Sequence, residues 1–405
     1  MTQNFTDPLN GLKGKKILLG ITGGIAAYKS CYIIRELVRR EAEVKVVTTQ
    51  SALKFVTPMT LAALSRNPVI SDIFDEKAEG TWHIHLAEWA DIYLIAPATV
   101  NTVAKIAHGF SDNPVATLAL ARRSPMVVCP AADEAMYNNA VSQENIAKLQ
   151  NSGITVIPAE SGFLASGLSG AGRLPELEKI IDTCETVLLG HRKDLTGKSI
   201  LVTAGPTYED IDPVRYIGNR SSGKMGYNIA KAAYLRGANV TLISGHTSQY
   251  LYPEIQKIEI RSAAEMHQQV MDNFGSNDVL IMAAAVADYT PKNPEKNKIK
   301  KQNNEITLEL VKTTDILKSV EKKNKFVIGF ALETEKEFDN ASNKLQEKKL
   351  DMIVLNSAVK AGAGFEVDTN EITILYADGA VVPFEKRSKF QMAHCILDEM
   401  KTRYV

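Results

Sequence analysis

The sequence predicts an α/β protein built from two doubly wound, mainly parallel-sheet domains, and three observations carry that prediction. Two stretches echo each other, Gly14-Lys-Lys-Ile-Leu-Leu-Gly-Ile-Thr-Gly-Gly24 and Gly197-Lys-Ser-Ile-Leu-Val-Thr-Ala-Gly-Pro-Thr207. Each is a polar entry, a short apolar strand and a glycine turn, the usual opening of an α/β nucleotide-binding domain. Behind each, short apolar runs alternate with longer segments of helical periodicity, as a parallel sheet with crossover helices requires. The chain's 405 residues also exceed one ordinary core, because domains cluster at about 100 to 200 residues. The domains are expected over 1–190 and 191–405, joined by the polar stretch His191-Arg-Lys-Asp-Leu-Thr-Gly-Lys198.

The first domain opens with the strand that runs into Gly23-Gly24. A helix over 25–40, a strand over 44–47, a helix over 58–65 and apolar strands over 92–96 and 126–129 follow. The second opens with a strand over 200–203 and continues with strands over 240–244, 279–283, 326–330 and 352–355. It closes with a hairpin, 372–376 and 381–384, whose Asp378-Gly379 pair is a strong turn signal. The run PKNPEKNKIKKQNNE (291–305) reads as a mobile basic loop, although a lysine run is as often a solvated face.

Lys plus Arg and Asp plus Glu both number 47, so the formal net charge is zero. Nothing pulls the whole molecule toward nucleic acid or an anionic membrane, and ligand binding must be local. Four cysteines, Cys31, Cys129, Cys184 and Cys395, stand far apart without C-x-x-C or metal-ligand spacing. They predict reduced thiols, with no disulfide framework and no protein-held metal. No apolar run approaches the ~18 residues of a membrane span, and MTQNFTDPLNGLKGKK lacks the apolar stretch of a signal peptide. A cytoplasmic protein is expected.

The most informative run is DPVRYIGNRSSGKMG (212–226). It nearly spells a P-loop but ends in Met225 where a magnesium-binding hydroxyl belongs, and its strand lies well upstream. A Walker-type ATPase is disfavoured. A Gly/Ser-rich connection carrying Arg220 and Lys224 and entering a helix near Met225 remains, and such helix starts bind phosphate or carboxylate. The bland alternative is a solvated turn. G-x-G-x-x-G is absent from both glycine turns, which argues against a dinucleotide dehydrogenase.

Taken in order, TAGPTYEDIDPVRYIGNRSSGKMG (203–226), AAAVADY (283–289), KIKK (298–301) and GFALETE (329–335) resemble the signatures of the phosphopantothenate–cysteine ligases. GITGGIAAYK (20–29), HIHLAEWAD (83–91), APATVNT (96–102) and the G-x-L-A-x-G-x-x-G-x-G-R pattern of 162–173 resemble the flavin-dependent cysteine decarboxylases. Over nearly its whole length the chain thus resembles the bifunctional phosphopantothenoylcysteine decarboxylase/phosphopantothenate–cysteine ligase family of coenzyme A biosynthesis. The resemblance implies a flavodoxin-like flavoprotein domain followed by a Rossmann-like ligase domain with an added hairpin.

For the ligase half, it implies activation of 4'-phosphopantothenate by CTP to an acyl cytidylate, from which the amine of cysteine displaces CMP. Asn219 would hold the intermediate, and Arg215 would support its geometry or the second step. Lys298 would stabilise charge on the transferring phosphoryl group, a task suited to a movable point charge. Ala285, Asp288, Phe330, Lys344 and Lys348 match nucleotide contacts, although the i,i+4 spacing of the two lysines equally describes a solvated helix face. Magnesium (Mg2+) would bridge the triphosphate, held mostly by phosphate oxygens and water. Tyr208 stands where the family usually has arginine.

For the flavin half, the resemblance implies FMN, which provides the electron sink that loss of CO2 from an unactivated cysteine carboxylate needs. The Gly23-Gly24 turn would receive the flavin phosphate, and Ser51 and Asn101 match further flavin-site positions. His83 matches the catalytic histidine. His85, two residues on, does not share a face with it, so a two-histidine metal site is disfavoured. Asp133 replaces the asparagine that contacts the substrate carboxylate, and like charges repel unless one is protonated or bridged. Ser166 replaces the cysteine that protonates the enethiol, and a hydroxyl is far less acidic than a thiol. Two readings follow: both reactions run, or an active ligase carries a decarboxylase-impaired flavin-binding structural or regulatory module. The family further implies a homo-oligomer, with trimeric flavin domains, flavin near a subunit interface, and dimeric ligase domains.

Overall fold

The computed structural model describes residues 11–74, 80–191, 193–300, 306–333, 337–357 and 367–404. Lys301 and the end of the GFALETE motif lie outside the described residues. The chain divides after His191 into two compact units.

The first unit is a six-stranded parallel sheet. Its strands are β1 (Lys16–Ile21), β2 (Glu43–Thr48), β3 (Val69–Ile70), β4 (Ile92–Ala98), β5 (Met126–Pro130) and β6 (Thr155–Val156), in spatial order β3-β2-β1-β4-β5-β6. Every residue of β4 is buried, as a sheet covered on both faces demands. The alternation sorts the side chains into two cores: Ile17, Leu19, Leu94 and Val127 belong to one, and Leu18, Val47, Tyr93 and Val128 to the other. A 3-10 turn (Ile25–Lys29) leads into α1 (Ser30–Arg39), so the helix expected over 25–40 is tighter in its first turn. The remaining helices are α2 (Pro58–Ser65), α3 (Trp82–Trp89), α4 (Val100–His108), α5 (Pro114–Ala121), α6 (Glu134–Asn138), α7 (Ala140–Asn151) and α8 (Leu177–Leu188). Their starts follow capping chemistry: Thr57 and Asn113 accept from the backbone ahead of a proline at the first helical turn, and Thr99 caps α4. An antiparallel ribbon, β7 (Glu160–Phe163) and β8 (Ser169–Arg173), stands outside the sheet.

The second unit begins with β9 (Ser199–Ala204), followed by the short antiparallel pair β10 (Tyr208–Asp210) and β11 (Tyr216–Gly218). Then come α9 (Lys224–Leu235), β12 (Asn239–Ser244), β13 (Gln256–Glu259), α10 (Ala263–Phe274) and β14 (Val279–Met282). A second ribbon pairs β15 (Tyr289–Pro291) with β16 (Leu310–Lys312). The unit finishes with α11 (Ile316–Ser319), β17 (Phe326–Glu333), α12 (Glu337–Glu347), β18 (Met352–Ser357), β19 (Thr369–Tyr376), β20 (Val381–Ser388) and α13 (Lys389–Arg403). The sheet order is β13-β12-β9-β14-β17-β18-β19-β20. Its first six strands run parallel, and the expected hairpin extends the edge in antiparallel fashion.

The echo between the two halves reaches the hydrogen bonds. Asp91, just before β4, accepts from the Lys16 N–H at 2.8 Å, and Asp278, just before β14, accepts from the Ser199 N–H at 2.8 Å. Asp351 repeats the device on Val327 at 2.7 Å. In each case a carboxylate satisfies the N–H at or near the start of a neighbouring strand, so Asp91 of the HIHLAEWAD motif has a structural task. All four cysteines are free thiols, as expected. No helix among the described residues is long and apolar enough to cross a membrane.

Candidate active sites

In the first unit, the carboxyl ends of β1, β4 and β5 and the β7–β8 ribbon surround a cavity of about 810 Å3. The open end of a parallel sheet at its carboxyl edge is where α/β folds bind ligands. Gly23, Gly24, Asp133 and Ser166 line it together with Lys29, Thr99, Phe163 and Arg173. Ser51 does not line it but supports it: a Cβ on Gly23 would lie 2.3 Å from Ser51 Oγ, so only glycine lets the turn rest on that side chain. Thr22 Oγ1 donates to the Pro97 carbonyl at 2.8 Å and accepts from the Thr99 N–H at 2.8 Å, locking the β1 and β4 turns together.

Ser166 sits exposed in the turn between β7 and β8, which Leu164 closes through hydrogen bonds with Leu168 (2.8 Å) and Gly167 (3.0 Å). Asp133 caps α6 weakly, accepting from Ala135 N–H at 3.4 Å. The ribbon is pressed against this segment. The Ala132 N–H donates to the Gly172 carbonyl at 3.0 Å, and Cβ atoms on Gly170 and Gly172 would fall 2.2 Å from the Glu134 carboxyl carbon and the Ala132 carbonyl oxygen. Burial and the nearby Arg173 guanidinium both lower the Lys29 pKa. His83 and Asn101 are not on the wall of this cavity within one chain. His83 is half-buried at the start of α3, edge-on to Trp82 at 5.7 Å, and Asn101 is exposed in the first turn of α4. His85 Nε2 is 3.2 Å from Thr81 Oγ1, so it serves its own helix start.

The second unit holds a cavity of about 550 Å3 that brings Asp288, Phe330, Lys344 and Lys348 together with Lys312 and Asp315. Lys344 and Lys348 therefore do not form a solvated face. Lys344 Nζ donates to the Phe330 carbonyl at 2.8 Å, and Lys348 Nζ lies 3.1 Å from Asp315. Beside it the first glycine turn and the AAAVADY segment are stitched together. The Ala285 N–H donates to Gly205 at 2.9 Å, and the Ala287 N–H donates to Thr207 Oγ1 at 2.9 Å. Asn219 joins this seam, its Nδ2 donating to the Ala285 and Val286 carbonyls at 3.2 and 3.1 Å. Gly223 opens α9 at φ +73°, where a Cβ would strike Thr247 at 2.7 Å. Tyr208, in the position of the usual arginine, stacks on Tyr216 at 4.0 Å.

Arg215 and Lys298 meet through Ile299. Arg215 Nη2 donates to the Ile299 carbonyl at 3.0 Å, while Asp212 Oδ2 accepts from the Ile299 N–H at 3.1 Å. Lys298 itself is exposed. Of the basic run expected to be a mobile loop, the described part is thus held at Ile299 and begins at the β15–β16 ribbon; 301–305 lie outside the described residues. Asp212 was not singled out from sequence, although it opens the DPVRY motif. Lys312 and Asp315 carry no motif and became visible only through the cavity. No group of three or more His, Cys, Asp or Glu able to hold a metal occurs among the described residues.

Comparisons with known proteins agree with this division. Residues 7–189 match the family model described as "Flavoprotein", and residues 195–404 match "DNA/pantothenate metabolism flavoprotein C-terminal domain". The chain is 43% identical over 396 residues to the coenzyme A biosynthesis bifunctional protein CoaBC of Vibrio parahaemolyticus, covering 96% of this chain and 98% of that one. It is 42% identical to the protein of the same name from Bacillus subtilis over 394 residues, 96% of this chain and 97% of that one. It is also 44% identical over 358 residues to a cysteine/cysteine sulfinic acid decarboxylase from an unknown prokaryotic organism, covering 86% of this chain and 99% of that one. A crystal structure of the C-terminal domain of a CoaBC protein is 38% identical, with a TM-score of 0.45, over 52% of this chain and 97% of that one.

Proposed function

The chain belongs to the family of bifunctional coenzyme A biosynthesis proteins, with phosphopantothenate–cysteine ligase and phosphopantothenoylcysteine decarboxylase activities in one polypeptide, and from that premise we propose how its residues divide the work. In the ligase half, the carboxylate of 4'-phosphopantothenate attacks the α-phosphorus of CTP and pyrophosphate leaves. The amine of cysteine then attacks the acyl carbon and displaces CMP. The observation that carries this reading is the position of Asn219, bonded to the Ala285 and Val286 carbonyls next to the cavity that holds Asp288, Phe330, Lys344 and Lys348. There it can hold the acyl cytidylate while the cavity takes the nucleotide, and Lys298 faces the phosphoryl group. Magnesium bound with the nucleotide would neutralise triphosphate charge, held by the nucleotide and water more than by protein side chains.

In the flavin half, bound FMN would supply the electron sink for decarboxylation. The cavity's volume lies within the usual range for a cofactor pocket, and its apolar lining from Ile25, Ala26, Val100 and Phe163 suits a flavin ring. The Gly23-Gly24 turn, kept open by the fit of Gly23 on Ser51, suits the phosphate. His83 acts as the catalytic histidine. Its place off the cavity wall of its own chain suits a homo-oligomer in which flavin lies near a subunit interface, and the exposed Ile25, Tyr28 and Tyr32 offer apolar surface for one. Three measurements on the full-length chain test the proposal: the flavin spectrum, pyrophosphate release with CTP and 4'-phosphopantothenate, and CO2 release from phosphopantothenoylcysteine. Pyrophosphate without CO2 would instead support an active ligase carrying an impaired flavin module.

A further inference from the structure

The Asp212 carboxylate is fully enclosed, yet it lies in a connection between two short strands rather than in a core. Its Oδ1 accepts from the Val214 N–H at 2.8 Å and the Arg215 N–H at 2.9 Å, an ordinary local turn. Its Oδ2 does something a turn does not require: it takes Arg215 Nε at 3.0 Å and also the Ile299 N–H, from a segment 87 residues away. Arg215 returns to the same residue by donating to the Ile299 carbonyl. The Glu295 N–H adds a further tie, donating to the Ile211 carbonyl at 2.9 Å. Charge-assisted bonds to both backbone groups of one residue fix its position and its peptide orientation together. The residue fixed is the immediate neighbour of Lys298.

We propose that Asp212 is a positioning residue for the first ligase step: with Arg215 it clasps both backbone groups of Ile299 and thereby sets where the Lys298 ammonium stands. This rests on the reading of Lys298 as the cation that faces the phosphoryl group. Arg215 is then occupied in holding the lysine segment, and its influence on the reaction passes through Lys298. A cation aimed at developing charge acts by being in place before the reaction, so a clasp that removes its freedom matters as much as its charge.

The experiment is a double-mutant cycle on the full-length protein, read by pyrophosphate release from CTP and 4'-phosphopantothenate. Asp212→Asn keeps an oxygen for the local turn but offers an amide to Arg215 and Ile299, so the bond from Arg215 Nε and the long-range bond from the Ile299 N–H are both lost. We expect it to slow pyrophosphate release by about 10- to 100-fold, the scale of a catalytic group displaced by about 1 Å. In the Lys298→Gln background the same change should cost less than about twofold, because residues that act as one unit are not additive. A second variant, Ile299→Pro, removes the clasped N–H from the other end and leaves the Asp212 turn intact; it should show the same loss and the same non-additivity. If Lys298→Gln is slow but Asp212→Asn and Ile299→Pro are as fast as wild type, the clasp has no role. Losses that multiply with that of Lys298→Gln would show that Asp212 acts elsewhere, perturbing the fold or another group. If Lys298→Gln itself is unimpaired, the reading of Lys298 fails and the clasp's role fails with it.

Discussion

Ser166 lies in the turn of a ribbon whose other residues, Phe163, Leu164 and Arg173, line the first unit's cavity with it, and as the proposed proton donor its hydroxyl is poorly suited to that task. If the serine fails to protonate the enethiol, the wild type should release CO2 slowly and accumulate a product two hydrogens lighter than 4'-phosphopantetheine. Ser166→Cys should then raise turnover to the saturated thiol, because a thiol is several orders of magnitude more acidic than an alcohol. Mass analysis of the product under multiple turnover separates this from a substitute donor, for which the wild type already makes 4'-phosphopantetheine and the cysteine variant gains little. In the other half, Asn219→Asp sets a negative charge against an anionic intermediate and removes the donor to Ala285 and Val286. Coupling of cysteine should fall at least tenfold with the flavin spectrum unchanged; normal coupling with CTP would remove Asn219 from the intermediate's site. The motifs located these residues in the sequence, and spacing placed them near glycine turns. What each side chain faces was not legible. Lys344 and Lys348 have the spacing of a solvated helix face, and only the folded chain turns them toward Phe330 and Asp315. Asp212 is one acidic residue among many until Ile299 arrives from 87 positions away.

Elements with a clear period were readable, and elements whose shape depends on glycine were not. The buried parallel strands announce themselves as apolar runs between turn residues, so β1, β4, β9 and β14 fall where the sequence puts them. The β7–β8 ribbon does not, because Gly162, Gly167, Gly170 and Gly172 interrupt any alternation. Its existence depends on close approach to Ala132 and Glu134, a tertiary fact. Helix α8 hides a different feature behind an ordinary amphipathic pattern. Glu185 is buried on it, Arg40 Nη1 reaches one carboxylate oxygen at 3.4 Å, and the other oxygen has no hydrogen-bond partner. Burial pushes the Glu185 carboxyl up to about 7 despite the pull of Arg40, and Asp182 adds to the rise. In the unfolded chain this carboxyl ionises near 4.3. The folded state therefore holds its proton more tightly, so Glu185 contributes stability below about pH 4.3, and that contribution is lost as pH rises through about 7. Glu185→Gln should flatten the pH dependence of unfolding of the flavin half between about pH 4 and 7, measured by flavin release on heating. An unchanged slope would show that the carboxyl is ionised in the fold.

At the scale of the whole chain, each unit has its own sheet and its own pair of cores, and each site is built from residues of one unit. The segment expected as a linker is more committed than its polarity implied. Asp194 pairs with the fully buried Arg236 at 2.7 Å and with Lys401 at 2.9 Å, and Arg236 also reaches Asp398 at 2.8 Å. Most of that polar stretch therefore belongs to the ligase unit, because a buried guanidinium needs these carboxylates more than they need water. Two self-sufficient units predict separable chemistry. His83→Asn removes an imidazole from the start of α3, edge-on to Trp82 within the first unit. CO2 release should fall by at least about 100-fold, the scale of a lost acid–base group. Pyrophosphate release and cysteine coupling should stay within about twofold of wild type, because single changes act across independent units weakly. FMN should remain bound, since the Gly23-Gly24 turn and the cavity wall are untouched. The three readings, taken on one preparation, are mutually controlling. Loss of all three would mean that His83 supports the fold, and retained CO2 release would end its assignment as the catalytic histidine. Loss of ligation alone would mean that the two halves depend on each other in a way their separate cores do not explain.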